Sequence, residues 1–255
     1  MKTVSKIILY FIVACSITWV GNLVNYLYPG ANWWSMFALG PILAAPLVIW
    51  MTDGGAAVKA WWKRIWRFNA PLYVYFCAIF VPLAIFVVST GLAMAMTGDR
   101  PTAEAIAAWP DVLKFAPLML VLGGPGGEEP GFRGYGQHEL QKVMTPLTAA
   151  CWIGLGVVVW HFPVFIEGNI PISIAACLIG VSVVYAWLYQ AGGSVWPLVI
   201  LHLMVNSVNS QYLANMLSEQ GREIEVNIMT VFFIAWALLI AWRLGPSLGH
   251  PVRED

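Results

Sequence analysis

Between Lys6 and Lys59 the chain carries one charged residue, Asp53. Uncharged, apolar tracts of this kind recur toward the C-terminus, and they limit the fold more than any motif does. A helix that crosses a bilayer needs about 20 mostly apolar residues. Eight stretches qualify, roughly 6–28, 34–52, 70–97, 114–140, 147–165, 169–190, 194–216 and 226–243. In lipid every backbone N–H and C=O has to be satisfied within the segment, so such stretches become helices. The expected fold is therefore all-α: a polytopic membrane helix bundle of about eight transmembrane helices, in one integral membrane domain over 1–255. Only 10% of the residues are charged, against about 25% in soluble domains. The 14 Trp and 16 Pro suit the same class, because Trp favours membrane interfaces and Pro is tolerated in membrane helices. Thirteen basic and thirteen acidic residues cancel, which leaves no electrostatic footprint for nucleic acid. Cys15, Cys77, Cys151 and Cys177 lie inside apolar runs without a CxxC pair. They read as buried, inert thiols rather than a metal or disulfide framework.

Orientation follows from Lys and Arg in short loops. Lys2 and Lys6 precede the first stretch, and Lys59, Lys63, Arg64 and Arg67 separate the second from the third. An even number of crossings puts both groups on one side, the cytoplasm. The net acidic loops "TGDRPTAEAIAAWPD" and "EQGREIEVN" then fall outside, with both termini inside. The expected location is the cytoplasmic membrane of a bacterium or archaeon. "KAWWKRIWRF" (59–68) reads as a short interfacial helix, an anchor with aromatics toward lipid and cations toward water. "KIILYFIVACS" (6–16) looks like a signal h-region, yet the apolar run continues through Trp19, Leu23 and Val24. An uncleaved first helix is the better reading.

Charges within the bilayer are costly and face the bundle interior. The fourth stretch holds Glu128, Glu129, Arg133 and His138, the fifth His161, and the seventh His202 with Asn206. At 1.5 Å per residue, Glu128 and His161 lie about 18–21 Å from the cytoplasmic ends of their helices and His202 about 12 Å, so the groups can meet in one layer. Glu129 and Arg133 are spaced i,i+4 and can pair along one face, which leaves Glu128 to face a cavity. His202 and Asn206 share a face by the same spacing. His138 and Glu139 read as interfacial. In isolation, Glu128 and Glu129 could equally sit in a loop if the fourth helix ended near 123, in the Gly/Pro-rich run "GGPGGEEPG". Likewise His161 and His202 could be core histidines.

A carboxylate in a low-dielectric pocket can serve as a general base toward water. A neutral imidazole can orient that water, and a second imidazole with an amide can donate to a developing oxyanion. This inventory suits peptide hydrolysis without a covalent intermediate. Zinc is the competing account, because Glu128, His161 and His202 are the ligand types of a hydrolytic zinc site. No HExxH is present and Asn206 is a poor ligand, so metal-free activation is favoured and no cofactor is expected.

"EEPGFRG" (Glu128 to Gly134) resembles the EExxxR motif of the CPBP intramembrane proteases, also called the Abi or CAAX-protease family and related to type II CAAX prenyl endopeptidases. "WHFP" (Trp160 to Pro163) and "HLMVN" (His202 to Asn206) resemble its second and third motifs. The resemblance covers a core of about 113–216. It implies that Glu128 and His161 activate the attacking water, that His202 and Asn206 serve the oxyanion, and that Glu129 and Arg133 support the site. Val157 stands where the second motif often has Phe, a packing position. The implied activity is intramembrane endopeptidase action on a membrane-associated protein or lipidated peptide, of CAAX, leader or bacteriocin-related type. The alternatives are a non-proteolytic immunity or scaffold protein and a proton-coupled transporter that uses Glu128 and the histidines as a relay.

Overall fold

The computed structural model describes residues 1–28, 38–122, 124–168 and 170–249. The first residues of the expected second span, together with Gly123, His250 and Arg253, lie outside that set. Among the described residues the chain is helical with no strand, in line with the all-α membrane bundle. In order they are α1 (Thr3–Leu27), α2 (Gly40–Asp53), α3 (Gly55–Ile65), α4 (Leu72–Thr97), α5 (Ala103–Ala107), α6 (Asp111–Leu122) and α7 (Pro125–Gly131). A π-helical segment, Phe132–Gln137, continues α7 into the single turn α8 (His138–Leu140). Then come α9 (Pro146–Trp160), α10 (Phe162–Ile166), α11 (Ile174–Gly192) and α12 (Trp196–Leu203). A second π segment, Met204–Asn209, and a 3-10 turn, Leu213–Met216, lead to α13 (Glu219–Leu244).

Four helices among the described residues are long and apolar enough to cross a membrane: α1, α4, α11 and α13. The chain is an integral membrane protein. The expectation of eight full spans is not reproduced. The second and fifth stretches form the shorter apolar helices α2 and α9, and the fourth and seventh are interrupted. The physical cause is local. Gly124 adopts φ +117°, a region open to Gly and strained for other residues. Pro125 then starts a new helix, where its missing N–H costs nothing. The expected span 114–140 is thus divided between α6 and the α7–π–α8 segment. In the fifth, Pro163 cannot donate to the carbonyl one turn back, and α9 stops at Trp160.

α11 is the central column. It packs against α9 on one side and α13 on the other, and touches α12 and α4. From Gly180 through Ala186 every residue is buried. α1 pairs with α2, and α7 lies against α2. That contact explains part of the glycine run. A Cβ on Gly127 would run into the Ala38 carbonyl, and one on Gly131 would come 2.5 Å from the Pro41 carbonyl and 2.6 Å from the Tyr10 hydroxyl. Small residues let membrane helices approach backbone to backbone. Both glycines are on the face of α7 that does so.

α3 is a short helix where one was expected, but its side chains divide differently. Trp61 and Ile65 are buried, while Trp62, Trp66 and Phe68 remain about half exposed. Arg64 turns inward, donating from its guanidinium to the Gly134 carbonyl at 2.9 Å. The helix is therefore bolted to the π segment rather than only floating on lipid.

Candidate active site

The two glutamates sit at the start of a buried helix, not in a loop. Glu128 is 6% exposed and Glu129 is fully buried. The doubt raised by the Gly/Pro run resolves in an unexpected way: the preceding helix does end at Leu122, yet the glutamates open the next one. Pro130 lies inside α7 without breaking it. Because Pro130 cannot donate to the carbonyl four residues earlier, the ladder is already irregular when it widens into the π segment at Phe132. Single π turns inside helices often mark functional sites. Both this motif and the His202–Asn206 motif contain one.

Glu129 is the hub. Its Oε2 lies 3.1 Å from an Arg133 guanidinium nitrogen, the expected i,i+4 pair. Its Oε1 accepts from His202 Nδ1 at 2.8 Å, joining α7 to α12. Arg133 donates its second fork nitrogen to Ser182 Oγ at 2.9 Å, and Ser182 in turn donates to the Leu178 carbonyl at 2.7 Å. The guanidinium sits 4.5 Å from the centre of the Tyr185 ring, and that ring stacks on His202 with centroids 6.3 Å apart. Two buried charges and an imidazole are thus held by three helices. Each member has a hydrogen-bond or ring partner, the condition under which buried charges are tolerable.

Glu128 borders the same cluster. A Cβ on Gly124 would come 2.5 Å from Glu128 Oε1 and 3.3 Å from His202 Cε1. The carboxylate and the imidazole therefore flank one glycine, and no larger residue fits between them. Gly124 is needed twice, for its φ and for this space.

His161 ends α9 instead of lying within it. Its Nδ1 is 2.9 Å from the Val157 carbonyl. A carbonyl only accepts, so Nδ1 carries the proton and in the neutral ring the lone pair is on Nε2. The ring stands edge-on to Trp160, with centroids 4.7 Å apart. Trp160 meets Phe132, the residue before Arg133, at 5.5 Å, and its indole N–H donates to Thr18 Oγ1 at 2.8 Å. His161 thus reaches the cluster through an aromatic relay, and it lies within electrostatic range of His202 and Arg133. Asn206 is half buried on the π segment that follows α12. The i,i+4 register expected with His202 is altered there, because the helix widens at Met204.

His138 is buried, its Nδ1 3.5 Å from the Tyr189 hydroxyl. Glu139 is ion-paired with Lys142 at 2.5 Å, at the half-exposed end of the helix.

Across the known families, a model described as "Rce1-like: Type II CAAX prenyl endopeptidase Rce1-like" matches residues 110–208. All three motifs fall inside that match. The match supports the CAAX-protease (CPBP) family for this segment. At family level the match supports a protease, an intramembrane endopeptidase of CAAX type. The matched interval stops one residue before the end of the second π segment. No curated protein matches the chain.

Ser182 and Tyr185, both on α11, belong to the site and were invisible in the sequence. Neither stands in a motif, and both lie in an otherwise apolar tract. The one available signal is a hydroxyl among Val and Ala, in "GVSVVY" (180–185). Zinc fits poorly. Among the described residues no group of three or more His, Cys, Asp or Glu side chains is placed to hold a metal. Nδ1 of His202 already donates to Glu129 and Nδ1 of His161 to a carbonyl. A shared metal would require their Nε2 atoms and Glu128 to converge.

Proposed function

We propose that the chain is an intramembrane endopeptidase in which Glu128 is the general base, acting on a membrane-associated protein or lipidated peptide of CAAX type. Glu128 takes a proton from water as the water oxygen attacks the scissile carbonyl carbon. His161, with its lone pair on Nε2, accepts a hydrogen bond from the same water and orients it. The carbonyl oxygen becomes an oxyanion that accepts from the Asn206 amide and from Nε2–H of His202 as imidazolium. Glu129 supports that protonation state by accepting from Nδ1. Glu128 then passes its proton to the leaving amine. Preorganised donors in a water-poor site are worth far more than the same donors in bulk water. Glu129 and Arg133 are positioning residues in this scheme.

The observation that carries the reading is the buried Glu129–Arg133–His202 network, which holds the His202 ring beside Glu128 across Gly124. A transporter would call for a relay of groups across the bilayer, whereas these groups cluster at one place. The test compares peptide termini generated in membranes carrying wild type or Glu128→Gln. Wild type yields new termini that disappear in the variant while protein level and unfolding temperature are unchanged. Identical peptide profiles would sink the protease reading. For the metal, elemental analysis of purified protein should find no stoichiometric zinc; zinc that is present and lost on His161→Ala would overturn the metal-free scheme.

A further inference from the structure

Four of the chain's 13 Lys and Arg residues fall between 59 and 67. Arg64 is spent on the Gly134 carbonyl. The other three, Lys59, Lys63 and Arg67, are exposed and spaced four residues apart, so they rise along one side of α3 and its C-terminal turn. Together with Trp62, Trp66 and Phe68 they line an open cavity of about 850 Å³ that has no Asp or Glu in its wall. Other charges at this end of the bundle are matched: Lys6 pairs with Asp53, and Lys142 with Glu139. Among the described residues no acidic side chain pairs with Lys59, Lys63 or Arg67.

The wall of this bowl is fixed. Trp62 and Trp66 meet edge to face at 5.9 Å, and Phe68 stacks on Trp196 at 4.4 Å. The Trp196 indole N–H donates to the Ile65 carbonyl at 3.0 Å, and Ser194 Oγ donates to the Arg67 carbonyl at 2.5 Å. The chain just past α3 is thereby held against the start of α12. The bowl also lies between the ends of two apolar helices, where the Lys/Arg pattern of the sequence places a membrane surface. α2 ends at Asp53 and α4 begins at Leu72, with α3 in the short interval between two apolar helices.

We propose that this bowl is a binding site for the phosphate-bearing headgroup of an anionic phospholipid. The fork of Arg67 matches two phosphate oxygens, while Lys59 and Lys63 act as point charges around the same group. Trp62 and Trp66 rest at headgroup level, where amphipathic rings prefer to sit. An anchor alone needs the aromatics and scattered cations. Three unmatched cations around one concavity create a preference for negative headgroups that a zwitterionic lipid does not satisfy.

The experiment measures lipid retained on the detergent-purified full chain by native mass spectrometry, supplying phosphatidylglycerol or phosphatidylcholine. Wild type retains phosphatidylglycerol preferentially. Retention falls about fivefold per charge removed, and on the order of 100-fold in Lys59→Gln/Lys63→Gln/Arg67→Gln. All three positions are exposed, so the variant should unfold at the wild-type temperature; if it does not, single Lys63→Gln and Arg67→Gln variants carry the same comparison. Equal retention of the two lipids, or unchanged retention in the variants, overturns the proposal. So does stoichiometric binding of inorganic phosphate or an acidic peptide without lipid. Neither outcome depends on whether the chain cleaves peptides.

Discussion

Glu129→Gln preserves the shape of the side chain and removes the charge that holds the centre of the molecule together. Glu129 is fully buried and Arg133 is 2% exposed. After the substitution the guanidinium retains the Ser182 hydroxyl and the face of Tyr185. Removing one partner of a buried ion pair costs about 3–5 kcal/mol. The Tyr185 ring faces the guanidinium before and after the substitution and so cancels from the difference, leaving an expected loss of about 3–5 kcal/mol. Losing a neutral interhelical hydrogen bond in a membrane costs only about 0.6 kcal/mol on average, so the two explanations separate cleanly. The control is the adjacent substitution, Glu128→Gln, which alters no ion pair of the network and should cost clearly less than Glu129→Gln. Reversible SDS-induced unfolding in mixed micelles reads both. A Glu129→Gln loss near the hydrogen-bond value, or equal losses for the two variants, would refute the account of Glu129 as the charge-balancing hub. Activity should show a different pattern, with both variants losing cleavage but Glu129→Gln losing more stability.

Gly131→Ala should destabilise by about 1–3 kcal/mol through overpacking, because its methyl would meet the Pro41 carbonyl and the Tyr10 hydroxyl; Gly91→Ala, with open space around it, should instead gain about 0.5–1 kcal/mol from helix propensity. Thermal unfolding of the pair tests both signs. Ser182→Ala removes an acceptor from Arg133 and should cost about 1.5 kcal/mol, with a parallel fall in kcat if Arg133 positions Glu129; an unchanged kcat would separate stability from positioning. Gly124→Ala should abolish cleavage, since the new methyl would lie between Glu128 and His202; full activity would contradict the described proximity. In the loop after α4, the Ser218 backbone N–H and then its hydroxyl hold the Asp99 carboxyl below its usual range. Its folded value is depressed, so its contribution is present above the unfolded value of about 3.9 and is lost as pH falls through the lower folded value. Melting curves from pH 6 to 3 should therefore drop less steeply for Asp99→Asn than for wild type.

The membrane class was legible because it depends on totals. A chain with one charge between Lys6 and Lys59 cannot be covered by water, and lipid admits only helices or closed barrels. The Glu129–Arg133 pair was legible because i,i+4 spacing fixes neighbours within any helix. The span count was not. Gly and Pro interruptions look alike in sequence whether they kink a helix or end it, and here Gly124 ends one and Pro130 does not.

By itself the sequence determined an all-helical integral membrane protein with three polar motifs in apolar surroundings, because composition and helical periodicity are local properties. Only the tertiary structure decided that His202 pairs with Glu129, and that Ser182 and Tyr185 complete the cradle for Arg133. It also decided that His161 communicates through Trp160 and Phe132. The hydrogen bonds of Arg133 to Ser182 and of His202 to Glu129 join residues 49 and 73 positions apart in the chain. Nothing in local spacing encodes them; they follow from how closely α7 can approach its neighbours, and the glycines that permit this acquire meaning only once the facing carbonyls are in place.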